Sequence, residues 1–477
     1  MTETKPLVLD VDGTFLKTDM LWECFWAGLG RDPLATLRAA FTHFRHPARL
    51  KSELARVAPL RLDVLPVNPE VADLALRSRM AGREVVLASA SDRSLVEPLA
   101  REYGLSERVF ASDFDHNLKG TAKAKALVDA YSEGGFDYAG DSAVDMAVWQ
   151  KAENALVVGH VPSARALSAQ GRNVVELAGG WSWRALLKAM RPHQWVKNVL
   201  LLLAMIAAHR FDLQTLIPIL WGIAAFSAAA SSIYIVNDLL DLEADRLHPT
   251  KCKRPFASGL VPIKIGMIAF IGLALFALAV AAALNWQFFG VVVLYMIMSL
   301  AYSLKLKRLR WVDIATLAAL YTIRVIAGAA AGEVSVSIYM LIFIFPIFIT
   351  LGCVKRLTEL TLATSDERLP GRGYGRPDRG DLLNVAWLGT IGALLIFFLY
   401  SISDQGQELY PTTWILWLAM VPMALWLVRM VALGWFGKQD YDPIVFAMRD
   451  KFGIGILMIT LSLMFWAAGL WGEWFGA

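Results

Sequence analysis

Hydrophobic and polar positions follow two different patterns along the chain. Up to about residue 180, apolar runs are short and polar residues follow them closely, as in LVLDVDGT at 7–14 and VVLASAS at 85–91. Short buried strands separated by helix-length segments predict βαβ units and a parallel sheet, with functional sites at the carboxyl ends of the strands. We therefore predict an α/β Rossmann-like domain over residues 1–180.

From about residue 195 the pattern changes to a succession of long apolar runs. A helix needs roughly 17–25 apolar residues to cross the hydrocarbon core of a bilayer. The runs that meet or approach this length lie at 195–209, 215–237, 265–283, 287–304, 312–331, 337–354, 384–402, 412–431 and 453–473. We predict an all-α polytopic membrane domain of about nine transmembrane helices over residues 181–477.

The distribution of Lys and Arg among the loops predicts the orientation of the chain in the membrane. Lys and Arg concentrate before the first predicted helix and after the even-numbered ones, which predicts that these loops and the N-terminal domain are cytosolic at a plasma (inner) membrane, with the C-terminus outside. The net charge of +4 is small, so we expect no nucleic-acid partner. Three cysteines without metal spacing and no visible signal peptide are in keeping with a cytosolic domain.

An acidic run, NDLLDLEAD at 237–245, ends the second predicted helix. At about 100° per residue, Asn237, Asp238, Asp241 and Asp245 fall within roughly 100° of one another, with Glu243 on the opposite side. Carboxylates at the end of a transmembrane helix are costly and usually functional. Mg²⁺ takes such oxygen ligands and bridges them to substrate phosphates. The pattern predicts a site for Mg²⁺ and phosphate. Two cations follow the acidic run, Lys251 and Arg254, and we predict that they bind phosphate oxygens.

These features resemble the UbiA prenyltransferase superfamily over about residues 185–477. With HPTKCKRP at 248–255, CVKRLTEL at 353–360 and DPIVFAMRD at 442–450, the chain is most similar to the branch of decaprenyl-phosphate phosphoribosyltransferases. The resemblance implies Mg²⁺-dependent transfer of phosphoribose from phosphoribosyl pyrophosphate to a polyprenyl phosphate. It assigns Asp238, Asp241 and Asp245 to the metal and Asn237 to orienting the donor.

The chain departs from the prenyl-transferring members, which resemble one another in a second acidic motif on a later helix. The corresponding run, WVDIATLAALY at 311–321, contains Asp313 without a second acid three or four residues later. Cations and hydroxyl groups suit a donor that carries a further phosphate. We predict that substrate is bound by Tyr302, Lys305, Lys307, Arg324, Lys355 and Arg356, and that the acceptor phosphate is steered by Arg191, Lys197 and Asn198.

Several alternatives remain open at this stage. Arg324 is alternatively the structural partner of Asp313 on the same predicted helix, and Lys197 is alternatively only a topology signal. The whole chain is alternatively a prenyltransferase that moves an isoprenoid from its diphosphate to an aromatic or other acceptor. A membrane-anchored phosphatase is the remaining alternative.

Four motifs in the N-terminal half resemble, in their order, those of the haloacid dehalogenase superfamily. They are DVDGT at 10–14, the serine of the second apolar strand, LKGTAKAKAL at 118–127 and YAGDSAVD at 138–145. The resemblance implies a phosphatase in which Asp10 attacks phosphorus and Asp12 acts as general acid and base. Ser89 and Lys123 hold the phosphoryl oxygens, and Mg²⁺ is bound by Asp10, the Asp12 carbonyl and Asp141. A small helical cap is implied over about 20–67.

Spacing from Gly120 favours Lys123 as the phosphate lysine over Lys119 and Lys125. A degenerate, non-catalytic domain is the alternative for this half. The two domains in one chain predict consecutive reactions, in which the phosphatase removes the 5-phosphate of the lipid-linked product.

Overall fold

A computed structural model describes residues 5–335, 337–369, 372–439 and 442–476. The chain forms two compact units: Met1–Met190 with Tyr234–Ile271, and Arg191–Ile233 with Gly272–Ala477. The first unit therefore contains the N-terminal half together with the acidic run and the loop after it.

One sheet of six parallel strands forms the centre of the first unit, in the order β3-β2-β1-β4-β5-β6. The strands are β1 (Leu7–Leu9), β2 (Val85–Asp92), β3 (Val109–Ser112), β4 (Asp137–Gly140), β5 (Asn154–Val158) and β6 (Asn173–Leu177). In β1, Leu7 and Leu9 pack into one hydrophobic cluster and Val8 into another, because alternate side chains point to opposite faces. The predicted parallel α/β sheet is confirmed.

Helices connect these strands. They are α1 (Met20–Arg31), α2 (Pro33–His43), α3 (Pro47–Val57), α4 (Pro69–Met80), α5 (Arg93–Glu102), α6 (Thr121–Tyr131), α7 (Met146–Trp149), α8 (Arg165–Ala169) and α9 (Trp183–Ala189). Asp32 caps α2 and Asn68 caps α4, each followed by a proline at the first helical position, where the missing N–H is not needed. Helices α1 to α3 lie in the segment predicted as a helical cap.

The helices of the remaining chain include most of the predicted membrane spans. They are α10 (Leu202–Ala207), α11 (Leu213–Leu240), α12 (Leu242–Leu247), α13 (Ile263–Leu284), α14 (Trp286–Leu304), α15 (Val312–Ala331), α16 (Ile338–Thr361), α17 (Arg379–Ser401), α18 (Asp404–Leu409), α19 (Thr413–Trp435), α20 (Pro443–Ala447), α21 (Lys451–Ala467) and α22 (Leu470–Phe475). In the described part of the chain, seven helices, α11, α13 to α17 and α19, are long and apolar enough to cross a membrane. They match the second to eighth predicted stretches, and the chain is a multi-pass membrane protein.

The first and last predicted stretches are divided into shorter elements. Residues 195–209 fall on a 3₁₀ helix, Pro192–Leu201, and on α10. Residues 453–473 fall on α21 and α22, with Gly469 between them at φ +78°, a conformation that glycine adopts without strain. The count of nine spans therefore stays a prediction.

Close packing of the 3₁₀ helix on α15 depends on Gly328. A Cβ atom at this position would lie 1.8 Å from the carbonyl oxygen of Leu201, and small residues are what allow such close approach between membrane helices. The approach accompanies a contact one turn away, where Asn198 of the 3₁₀ helix accepts a hydrogen bond from Arg324 of α15 at 3.1 Å.

Candidate functional site

Three carboxylates and a lysine meet at the carboxyl edge of the sheet, where the strand order reverses between β1 and β4. Asp10 follows β1 and Asp141 follows β4, and oxygen atoms of Asp10, Asp141 and Asp145 lie within 4.8 Å of one another. The Nζ atom of Lys123, from α6, lies 2.8 Å from Asp10 Oδ1 and 3.8 Å from Asp145 Oδ1. The strand ends thus assemble a buried, charged site at the position expected for ligands of open α/β sheets.

Burial sets the acidity of these carboxyl groups. Loss of hydration raises the pKa of Asp141 to about 8, and the negative charges of Asp10 and Asp145 add to the shift. Burial also raises the pKa of Asp10 to about 7, although Lys123 opposes that shift. Crowded, weakly hydrated carboxyl groups are an environment in which a divalent cation is strongly favoured.

Asp12 lies in a separate set of hydrogen bonds. Its Oδ1 accepts from the Met20 N–H at 2.9 Å, and its Oδ2 accepts from the Ser91 hydroxyl at 2.6 Å. The Ser89 hydroxyl donates to the same Oδ2 at 3.4 Å. Burial raises the pKa of Asp12 to about 6, with a further contribution from Asp19. A carboxyl group with a pKa near neutrality suits a residue that gives and accepts a proton.

The residues at the sheet edge fit a Mg²⁺ ion. A Cβ atom on Gly13, which has φ +81°, would lie 2.1 Å from Asp141 Oδ2, so this glycine leaves space for the carboxylate. Asp10 and Asp141, both predicted ligands, are brought together, and Asp145 is a third acid that the predicted ligand set did not include. The carboxylate of Asp12 is engaged elsewhere, which is compatible with the predicted contact through its backbone carbonyl.

The structure also separates the candidate lysines. Lys123 is buried against Asp10, whereas Lys119 and Lys125 are exposed. Tyr138, on β4, was missed: its hydroxyl accepts from Lys123 at 2.9 Å and donates to Asp145 at 2.9 Å. An aromatic residue in an apolar strand is typical of the hydrophobic core, so the sequence offered no signal for this contact.

The acidic run continues α11 into α12 through one irregular residue, Asp241, with φ −99° and ψ 14°. Backbone hydrogen bonds persist across it: the Asp241 N–H donates to Asn237 at 3.0 Å and the Asp245 N–H donates to Asp241 at 2.8 Å. Asp238 and Asp245 are buried, and Asn237 and Asp241 are half-buried. The acids therefore keep near-helical spacing although the helix ends at Leu240.

Arg254 lies between two of these carboxylates. Its Nη1 atom is 2.7 Å from Asp245 Oδ2 and 3.3 Å from Asp238 Oδ1. Among the residues that the structure describes, the triad at the sheet edge is the one group of three or more His, Cys, Asp or Glu side chains with ligand atoms mutually within 4.8 Å. In the acidic run, the guanidinium of Arg254 supplies the positive charge between two of the carboxylates. Two carboxylates that face one cation fit the chemistry of a Mg²⁺ site. Lys251, the other predicted phosphate ligand here, is exposed.

Two ion pairs join the acidic run to α1 within the first unit. Glu243, predicted to point away from the other acids, lies 2.8 Å from Arg31. Arg246 contacts both carboxylate oxygens of Glu23, at 2.6 and 3.0 Å, and both side chains are buried. Because a bidentate arginine–carboxylate pair fixes orientation as well as distance, the acidic run is held firmly on α1.

Arg324, near the middle of α15, is buried among neutral polar groups. Its guanidinium donates to Asn198 Oδ1 at 3.1 Å, to the Tyr295 hydroxyl at 3.1 Å and to the Leu320 carbonyl at 2.6 Å. No carboxylate of the described residues lies within 4.0 Å of it, and Asp313 is paired elsewhere. The interpretation of Arg324 as the partner of Asp313 is therefore wrong. A buried cation without a counter-ion inside a membrane helix indicates a functional site.

Asp313 is fully buried and pairs with Arg356 of α16. The guanidinium Nε and Nη2 atoms lie 2.5 and 2.9 Å from its two oxygens, and the Tyr302 hydroxyl donates to it at 2.9 Å. Arg356 also contacts Glu359. Two predicted substrate ligands, Tyr302 and Arg356, therefore contact a buried carboxylate in this structure. A third, Lys305, is exposed.

Lys197 and Lys355 converge on Asp442. Lys197 forms an ion pair with Asp442 Oδ2, and the Nζ atom of Lys355 lies 3.6 Å from the same oxygen. The Tyr321 hydroxyl also donates to it, at 3.4 Å. Two ammonium groups around one carboxylate leave an excess positive charge, which favours an anion nearby.

Removing Asp313 should destabilise the membrane domain. In Asp313→Ala, Arg356 loses its bidentate partner while still buried, although Glu359 remains, and breaking a buried pair costs about 3–5 kcal/mol. The midpoint of thermal unfolding in detergent should fall accordingly. The matched control, Asp381→Ala, removes a 61% exposed partner of Arg310 and should change the unfolding free energy by less than about 1 kcal/mol. Equal effects of the two substitutions would contradict a structural role for the Asp313 pair.

Known proteins are similar to this chain in sequence. The sequence model of the UbiA prenyltransferase family matches residues 198–364. A Sinorhizobium fredii protein, named Uncharacterized protein y4nM, is 32% identical over 96% of this chain and 90% of its own length. Decaprenyl-phosphate phosphoribosyltransferase of Mycobacterium tuberculosis is 34% identical over 56% of this chain and 88% of its own length. A solved UbiA homolog from Archaeoglobus fulgidus, bound to GPP and Mg²⁺, superposes with a TM-score of 0.44 and 15% identity, covering 59% of this chain and 99% of that chain.

Proposed function

This chain belongs to the UbiA prenyltransferase family, and from that premise we propose that its membrane domain transfers phosphoribose from phosphoribosyl pyrophosphate to a polyprenyl phosphate. The phosphoribosyltransferase of Mycobacterium tuberculosis, at 34% identity, supports this choice of substrates over a prenyl diphosphate and an aromatic acceptor. The remaining support comes from the chain's own residues.

The observation that carries this choice is the state of Asp313. In the prenyl-transferring members, as the resemblance implies, a second acidic motif binds metal at this place. Here Asp313 is completely buried and both of its oxygens accept hydrogen bonds from Arg356, at 2.5 and 2.9 Å. The guanidinium already neutralises the charge of this carboxylate, which makes it a poor metal ligand and favours a donor that is not bound through two acidic motifs.

In the proposed reaction, the bond from C1 of the ribose to the pyrophosphate oxygen breaks, and an oxygen of the polyprenyl phosphate forms the new bond to C1. The acceptor is already an anion and needs no general base. Asp238, Asp241 and Asp245 would hold Mg²⁺, which neutralises the charge that develops on the departing pyrophosphate. Asn237 orients the donor, and Arg254 exchanges its carboxylate contacts for phosphate oxygens.

Basic groups outside the acidic run are assigned to the other anionic parts of the substrates. Arg324 is buried with neutral partners, so a phosphate would supply the counter-ion that it lacks. Lys197 and Lys355 share one carboxylate and retain an excess positive charge. Asn198, which accepts from Arg324 and donates to Ser227, orients Arg324 toward that phosphate.

We also propose that the N-terminal domain is a haloacid dehalogenase-like phosphatase. Asp10 forms a bond to phosphorus as the ester bond breaks, and Asp12, whose pKa burial raises to about 6, gives its proton to the leaving oxygen. Asp12 then takes a proton from the water that attacks phosphorus, which breaks the bond to Asp10 and releases inorganic phosphate. Lys123 and Ser89 bind the phosphoryl oxygens. Asp10 and Asp141 would hold Mg²⁺, which neutralises the phosphoryl group during transfer. The contact of Lys123 with Asp10 at 2.8 Å supports these assignments.

The two activities are proposed to act in sequence on the cytosolic side of the plasma (inner) membrane. The transferase would form polyprenyl-phosphoryl-5-phosphoribose, and the phosphatase would remove the 5-phosphate. The clustering of Lys and Arg in alternate loops supports this orientation through the positive-inside tendency. Hydrolysis of the product would draw a reversible transfer forward.

A donor screen with the purified full chain tests the transferase proposal. With Mg²⁺ and polyprenyl phosphate, pyrophosphate should be released from phosphoribosyl pyrophosphate, and the lipid product should gain the mass of ribose or phosphoribose. Reactions without acceptor, and with ribose 5-phosphate as donor, serve as controls. Release of pyrophosphate from a prenyl diphosphate without phosphoribosyl pyrophosphate would instead establish a prenyltransferase. Hydrolysis of phosphomonoesters without transfer from any donor would indicate a membrane-anchored phosphatase.

A further inference from the structure

A cavity of about 990 Å³ lies at the carboxyl edge of the sheet in the first unit, and Asp10, Asp12 and Lys123 line part of it. This volume is at the upper end of the range for pockets that enclose whole small molecules. A transferred phosphoryl group therefore fills a small part of the space. The rest of the lining indicates what else the substrate carries.

Another part of the lining comes from the stretch 259–264, which we call the cavity segment and which contributes Gly259, Leu260, Pro262, Ile263 and Lys264. Its last two residues begin α13, an apolar helix long enough to cross a membrane. Leu260 lines the cavity and is 48% exposed. A large apolar side chain exposed on the wall of a charged cavity, at the start of a membrane helix, offers a contact for the first part of a lipid chain.

The approach of the cavity segment to the reacting carboxylates is built into the first unit. Gly259 has φ +69°, and a Cβ atom there would lie 2.5 Å from the Cβ of Lys17, a residue of the loop that follows Asp10. Arg246, which forms a buried pair with Glu23 of α1, also donates to the carbonyl of Ala257 at 3.0 Å, just before the segment. The cavity segment is therefore held in place as part of the cavity lining.

The cavity contains lysines beyond the one that contacts Asp10, alongside six acids. Lys17, Lys119 and Lys264 line it, and none of them lies within 4.0 Å of a carboxylate of the described residues. Two acids of the lining lie outside the group of Asp10, Asp12, Asp141 and Asp145, and both accept backbone hydrogen bonds. Asp19 accepts from the N–H groups that begin α1, and Glu70 accepts from the Ala178 N–H. Unpaired ammonium groups in a cleft favour a second anionic group on the ligand.

We propose that this cavity accepts a phosphomonoester whose head group carries a second phosphate and is attached to a lipid, with Lys264 as a specificity-determining residue for the second phosphate and Leu260 as a contact for the lipid chain. The inference rests on the proposed phosphatase function. In the reaction, the P–O bond of the terminal ester breaks, water supplies the oxygen that phosphorus gains, and inorganic phosphate leaves. A lipid-linked 5-phosphoribose has this chemistry, with a terminal monoester, a phosphodiester and an isoprenoid chain.

Three substrates separate the parts of this proposal when given to the purified full chain with Mg²⁺. They are p-nitrophenyl phosphate, with one phosphate; ribose 1,5-bisphosphate, with two phosphates and no lipid; and farnesyl-phosphoryl-5-phosphoribose, with both phosphates and a lipid chain. Lys264→Gln should lower kcat/KM about tenfold on the second and third substrates, mainly through KM, because a charge-assisted contact is lost. Leu260→Asp should lower it only on the third. Lys264→Arg should restore most of the loss.

Lys253→Gln is the matched control, since Lys253 is exposed in the connection between α12 and α13, before Lys264, and does not line the cavity. It should leave all three rates unchanged, and both Lys264 and Leu260 are exposed, so unfolding midpoints should stay constant. Unchanged rates of Lys264→Gln and Leu260→Asp on the lipid-linked substrate would overturn the inference while the phosphatase stands. Equal wild-type kcat/KM on the second and third substrates would overturn its lipid part. Failure of the wild type to hydrolyse any of the three would remove the phosphatase function itself.

Discussion

Substituting Asp241 by asparagine is expected to reduce phosphoribosyl transfer by roughly 10²-fold or more, since a metal-supported, charge-stabilised leaving group contributes on this scale. Asp241 lies at the junction of α11 and α12, between Asp238 and Asp245 along the acidic run. Asparagine keeps the shape and one oxygen but removes the charge. The measurement is Mg²⁺-dependent release of pyrophosphate from phosphoribosyl pyrophosphate, with the lipid product quantified by mass.

Glu243→Gln supplies the matched control for Asp241→Asn. Glu243 belongs to the same acidic run but pairs with Arg31 at 2.8 Å on an exposed face, a kind of contact worth about 0–1 kcal/mol. Its transfer rate should stay within about twofold of the wild type. Both variants should insert into membranes and unfold at similar temperatures, because neither removes buried apolar contacts. Wild-type transfer by Asp241→Asn would remove this residue from the metal site.

The second large effect is expected for Asp10→Asn, which should abolish phosphate release and make the full chain accumulate polyprenyl-phosphoryl-5-phosphoribose. The nucleophilic oxygen is lost, whereas the amide oxygen still accepts the hydrogen bond of Lys123, which lies 2.8 Å away in the wild type. Loss of a covalent nucleophile commonly costs several orders of magnitude. The product is measured by mass after incubation with polyprenyl phosphate, labelled phosphoribosyl pyrophosphate and Mg²⁺.

Asp73→Asn is the control for this experiment, because Asp73 is exposed on α4 and does not line the cavity. It should yield the same dephosphorylated lipid as the wild type. The rate of pyrophosphate release in Asp10→Asn should stay near that of the wild type, which separates the two activities within one chain. If the lipid product of Asp10→Asn still lacked the 5-phosphate, the N-terminal domain would have no part in this step.

The unit to which the acidic run belongs bears on both predictions. The acidic run proposed for the transferase is contained in the same compact unit as the proposed phosphatase, and the buried pair of Arg246 with Glu23 joins it to α1. The Asp241 and Asp10 variants therefore each need both assays. A substitution that acted only by disturbing this unit would lower both activities together.

The sequence by itself determined the elements that depend on local periodicity. Within the described ranges, seven helices fall on predicted apolar stretches, because a bilayer demands a minimum apolar length that a single sequence displays. The parallel sheet follows from short apolar strands in βαβ order. The carboxyl-edge location of Asp10 and Asp141 follows from their place directly after such strands. The broken first and last stretches were not determined in this way, since a run of apolar residues does not specify where the backbone turns.

Partnerships between distant residues were decided only by the tertiary structure. The sequence left Arg324 as a possible partner for Asp313, and the fold instead gives Asp313 to Arg356, 43 residues away along the chain. It also places Tyr138 and Asp145 beside Lys123 and Asp10. Periodicity specifies which face of an element a residue lies on, but not which face of another element packs against it. Ion pairing depends on that packing, because a buried charge takes the nearest geometry that neutralises it.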